Sequence, residues 1–206
     1  IRDRVLFGGC RQNDTKLFDK HEFQEVVLKA MHGDAKANDT LSQLFDLTIP
    51  VNPHYNTFTI DSINTHLGRR YYTVLLEYPN PFYNRFAVYD SSLRLLLIDR
   101  SLNGNLKKSV FTAGTNQYIQ ITESFRSKDN ISLERTSLYG MKSDSAVLSL
   151  RAFTKYNDST IMLTRVIESM EKNQLLMKVD AKPKSVYNIE VDRFTLDTVA
   201  LIFKPD

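Results

Sequence analysis

The chain has 206 residues, 42% hydrophobic and 25% charged, and a formal net charge of +3 from 27 basic and 24 acidic side chains. That composition suits one globular core and excludes a wholly disordered chain, and the scattered basic residues lack the clustered footprint of a nucleic-acid binder. The longest apolar runs, such as Leu95 to Ile98 and Val199 to Phe203, fall short of the ~20 residues that cross a bilayer as a helix, and a single cysteine rules out an internal disulfide.

At the start, "RVLF" reads as a short edge strand ending in a glycine turn. Phe7, Gly8, Gly9 and Cys10 also resemble the lipobox of bacterial lipoproteins, in which small residues precede a cysteine that is lipidated and becomes the mature N-terminus. The resemblance implies lipidation at Cys10, a polar linker from Arg11 to Lys16, and an extracytoplasmic place in the periplasm or at the outer membrane. Residues 1–16 are therefore expected to form an arm, and residues 17–206 one domain.

Between Thr15 and Met31 the apolar residues Leu17, Phe23, Val27, Ala30 and Met31 recur near helical spacing, with Asp14 or Thr15 to cap the start and Gly33 to stop it. A second helix is expected from Thr40 to Asp46, capped by Asp39 and ended before Pro50 and Pro53.

From 57 to 203 the pattern is β. Strands are predicted at 57–63, 71–78, 83–89, 93–99, 118–127, 131–139, 147–156, 159–170, 175–180, 186–191 and 194–203, because β-branched and aromatic residues gather there between turn signals. From Tyr118 onward no gap is long enough for a parallel crossover, so the second half must be an antiparallel meander. The fold class is mainly β: an N-terminal helical segment, then a meander of roughly ten or eleven strands forming a barrel, half-barrel or sandwich. That arrangement resembles the general plan of periplasmic lipid and lipoprotein carriers.

Turn chemistry sets the register. A three-residue loop at 128–130 places Phe125 opposite Leu133 and Ile119 opposite Tyr139. A two-residue loop at Ser143 and Asp144 places Tyr139 opposite Leu148, and another at Asn157 and Asp158 places Ala152 opposite Leu163 and Leu150 across from Arg165.

This parity turns three charges toward the apolar side: Glu123 between Ile121 and Phe125, Arg135 between Leu133 and Ser137, and Arg165 between Leu163 and Ile167. A buried charge persists only when paired, hydrated or bound to something. One reading is a structural Glu123–Arg135 pair, with Arg165 capped by carbonyls. The other is a ligand site in which Arg135 and Arg165, with Glu123 and Ser137 beside them, hold the anionic head of an amphiphile or lipid.

The stretch "GRRYYTVLLEYPNPFYNRFAVYD" concentrates aromatic residues. Tyr72 alternates with Val74 and Leu76 and belongs to a core, whereas Tyr71, Tyr78, Tyr83 and Tyr89 are candidates for an exposed face that docks a protein partner. His21, His32, His54 and His66 share no metal-ligand spacing, and no phosphate loop or nucleophile elbow occurs, so neither a metal nor another cofactor is expected. The expected role is a non-enzymatic extracytoplasmic binding or assembly protein. Its rivals are a hydrolase-like enzyme built on His54, Asp61 and His66, and a structural subunit of a larger complex.

Overall fold

Helix α1 covers Lys20–Met31 and buries Phe23 and Ala30; Gly33 follows it at φ 88°, a left-handed conformation that costs glycine no steric clash. This computed structural model describes residues 20–44, 57–65, 68–92, 94–113, 116–127, 131–142, 144–171, 173–185, 187 and 190–206. Cys10, the caps Asp14 and Thr15, His54 and His66 lie outside them. Helix α2 covers Ala35–Leu44 and so starts before the expected Thr40, with Asp34 rather than Asp39 as its cap; the expected end at Asp46 lies outside the described residues. The Asp34 carboxylate accepts the Ala37 N–H at 2.8 Å, three residues on, so the helix starts directly after the glycine turn.

Strands β1 (Thr57–Asn64), β2 (Arg70–Glu77), β3 (Arg85–Asp90) and β4 (Leu95–Asp99) form an antiparallel sheet in that order. One face carries Tyr72, Val74, Leu76, Ala87 and Tyr89, and packs with Phe23, Ala30, Ala37 and Leu41 of the two helices. Each large apolar side chain buried there contributes about 1.5–3 kcal/mol. The other face of β2 and β3, with Tyr71, Thr73, Leu75, Phe86 and Val88, is buried as well, which is why these strands read as near-continuous apolar runs.

The remaining strands are β5 (Asn105–Ala113), β6 (Asn116–Arg126), β7 (Ser132–Met141), β8 (Ala146–Asn157), β9 (Met162–Glu171), β10 (Gln174–Lys182), β11 (Val191–Asp197) and β12 (Ile202–Pro205). They form one eight-stranded antiparallel sheet in sequence order. Strands β8 and β9 pair only beside their hairpin, between Lys155 and Asn157 on one strand and Met162 and Thr164 on the other, so the sheet folds over at that point. Strand β12 then lies against β8, and β5 approaches β9 without pairing to it. Tyr118, Leu138, Leu150, Leu175, Met177, Leu196 and Phe203 fill the space between the two halves. Contacts divide the chain into two compact units, one holding the helices with β1–β4 and the other holding β5–β12.

Three strand assignments differ from the sequence reading. Strand β5 was not expected; "NLKKSVFTA" places two lysines side by side and breaks the alternation, which a strand at the sheet edge tolerates because its outer side faces solvent. Of the stretch 186–191, Tyr187 and Glu190 lie outside any strand and Val191 opens β11, while 194–203 is split between β11 and β12 by a turn that Asp197 organises through the N–H groups of Val199 and Ala200.

The register across β6 and β7 is as expected, with Phe125 opposite Leu133, Glu123 opposite Arg135 and Ile119 opposite Tyr139. Tyr139 also lies opposite Leu148. The β8–β9 register is corrected by four positions: Leu163 pairs with Tyr156 instead of Ala152, and the pairing ends at Lys155, so Leu150 does not face Arg165 across the ladder. The loop runs through Ile161 because Asp158 accepts the N–H groups of Thr160 at 2.7 Å and Ile161 at 2.6 Å, a side-chain-built turn longer than two residues.

Candidate functional site

Strand parity brings Glu123 and Arg135 together. Glu123 has 0% side-chain exposure and Arg135 20%; Nε donates to one carboxylate oxygen at 2.6 Å and Nη2 to the other at 2.8 Å. The guanidinium also lies 5.7 Å from the centre of the Phe125 ring. Two parallel charge-assisted bonds satisfy the buried carboxylate, so this pair has the geometry of a closed structural ion pair.

Next to it stands an arginine that sequence parity did not turn inward. Two bulges in β8 leave Thr154 and Ser149 without an opposite residue on β7. The bulge at Ser149 moves Arg151 opposite Ser137, and its Nε donates to the Ser137 hydroxyl at 2.8 Å while Nη2 donates to the Tyr139 hydroxyl at 3.1 Å. Ser137 is fully buried, so its position beside Arg135 is that of a hydrogen-bond partner for Arg151. Nothing in "LSLRAF" announces an inserted residue, and an unbroken alternation sends Arg151 to the opposite face.

Arg165 belongs to a different network. Its Nε donates to Asp192 at 2.7 Å, its Nη1 to the Phe153 carbonyl at 3.1 Å, and its guanidinium stacks 5.2 Å from the Tyr187 ring centre. The Tyr187 hydroxyl donates to the second Asp192 oxygen at 2.8 Å, closing a triad. Arg135 and Arg165 take separate counter-ions, Glu123 and Asp192: the longer β8–β9 loop moves Arg165 from the expected position across from Leu150, and Asp192 of β11 takes it.

This triad lines an open groove of about 510 Å³ in the β5–β12 unit. Phe153, Phe194 and Pro205 supply its apolar walls, and Phe153 is 51% exposed. Arg193 and Asp206 line it too, so the groove carries two guanidinium and two carboxylate groups. Asp192, Tyr187 and Phe153 are the site residues that sequence reasoning missed. The inward Arg165 was the available signal, since an inward charge calls for an opposite charge on a neighbouring element.

The expected tyrosine face is corrected by burial. Tyr71 is 3% exposed, Tyr78 7% and Tyr89 2%, while Tyr83 packs against the helix-sheet core. Burial raises the Tyr78 phenol to about 12, with Arg85 opposing, and pushes the Tyr89 phenol up. What the stretch does present is Phe82, 67% exposed in a one-turn 3₁₀ helix that Asn80 caps. Asp61 is exposed on β1 opposite Thr73, and its proposed companions His54 and His66 lie outside the described residues.

Compared with protein-family models, curated proteins and solved structures, the chain finds no match. Among the described residues, no helix is long and apolar enough to cross a membrane.

Proposed function

We propose that the chain is a non-catalytic binding protein that carries an amphiphilic ligand in the groove of its β5–β12 unit. The observation behind this reading is Arg165: Asp192, Tyr187 and the Phe153 carbonyl fix its position, its guanidinium keeps N–H groups with no hydrogen-bond partner among the described residues, and the side chain lines a groove walled in part by Phe153, Phe194 and Pro205. Extracytoplasmic placement, with a lipid on Cys10, is the part of the proposal that rests on the lipobox resemblance. Intact mass of the native protein tests it by the increment of a diacylglyceryl group.

Phe153 decides the groove itself. It stands half exposed, so Phe153→Asp leaves the core untouched while placing a charge on the apolar wall. Titration with 1-anilinonaphthalene-8-sulfonate, an aromatic monoanion, should show binding by the native chain and a loss of about tenfold or more in the variant. Equal binding by both chains contradicts the assignment.

A further inference from the structure

Resting on that reading of the groove, we propose that its ligand is a singly charged carboxylate amphiphile, seated with its carboxylate end-on against Arg165 and its apolar part along Phe153 and Phe194. The donors decide the shape of the head group. Asp192 takes Nε and the Phe153 carbonyl takes one hydrogen of Nη1, which leaves Nη2 and the second hydrogen of Nη1. In a guanidinium the ends of Nη1 and Nη2 each turn one N–H the same way, a fork that fits two coplanar carboxylate oxygens and also fits a phosphate, so the charge of the groove has to choose between them.

The fork is held before any ligand arrives. Tyr187 lies over the guanidinium and donates its hydroxyl to the same Asp192 that anchors Nε, so ring, carboxylate and guanidinium brace one another. Little side-chain freedom is lost on binding.

Charge decides the valence. Among the groove side chains, Arg165 and Arg193 balance Asp192 and Asp206. A monoanion adds one negative charge to that balanced set. A phosphate monoester brings about −1.5 to −2 at neutral pH and faces the same two carboxylates, so it is disfavoured. The groove volume, about 510 Å³, lies within the range of small-molecule sites.

The test titrates the whole chain, below micellar concentrations, with three molecules that share one tail: laurate, dodecyl phosphate and dodecanol. Laurate should bind about tenfold tighter than either of the others. Arg165→Lys keeps the charge beside Asp192 and removes the planar fork, so it should erase the preference for laurate and leave dodecanol binding unchanged. Dodecyl phosphate binding as tightly as laurate, or a laurate preference that survives Arg165→Lys, overturns the inference. The ligand series on the native chain decides the matter alone should the variant not fold. Dodecanol separates the two levels: if it binds without head-group discrimination, the carboxylate inference falls and the groove stands, whereas if none of the three binds, the groove reading itself is wrong.

Discussion

Glu123 shows how one side chain ties strand parity to stability. It sits fully buried, and its two oxygens are both taken by Arg135. Removing the cation alone leaves a desolvated carboxylate, so Arg135→Met should destabilise the chain by about 3–5 kcal/mol, while Glu123→Leu with Arg135→Met should be near neutral or stabilising. A urea-unfolding double-mutant cycle measures both, and additive losses would show that the pair does not act as a unit. The shared face of Glu123 and Arg135 was legible because alternation in "YIQITESF" and "ISLERTSLY" sends one set of residues to one face, which is the face opposite to Tyr118 and Leu138. The burial of Tyr71, Tyr78 and Tyr89 was not, since a strand covered on both faces carries no alternation to read.

At the level of elements, loop chemistry decides which residues meet. The Asp158 carboxylate organises the β8–β9 turn, and bonds from the Tyr156 hydroxyl and the Thr160 and Ile161 N–H groups hold it well below the usual carboxylate range. The same bond raises the Tyr156 phenol above its ordinary value of 10.0. A carboxyl whose folded value is depressed contributes stability above its unfolded value, near 3.8 here, and loses it as pH falls toward the folded value. A phenol whose folded value is raised contributes below 10.0 and loses that contribution as pH rises through the folded value. Amide exchange of β8 and β9 beside the turn should therefore be slowest between about pH 4 and 10, after correction for intrinsic rates. Asp158→Ala should flatten the acid limb, and a limb identical to that of the native chain would place its origin elsewhere. Meander topology and the β6–β7 register were readable from turn residues. The Ser149 bulge was not, because an inserted residue looks like any other strand residue until the partner strand is known. Gly140 records the crowding there: a Cβ at that position would lie 2.7 Å from the Ser149 hydroxyl oxygen.

Across the whole molecule, contacts group the helices with β1–β4 in one compact unit and β5–β12 in another, with a division between Asn103 and Gly104. The groove belongs to the second unit, where β8 and β9 part and β11 supplies Asp192. Sequence reasoning found Arg165 but not its surroundings, because residues from β8, β9 and β11 converge only once the sheet has folded over. Spin-labelled fatty acid added to the isotope-labelled chain tests the groove most directly. Paramagnetic broadening should be strongest at the amides of Phe153, Arg165 and Phe194; broadening centred elsewhere, with those amides unaffected, would contradict a ligand site in this groove.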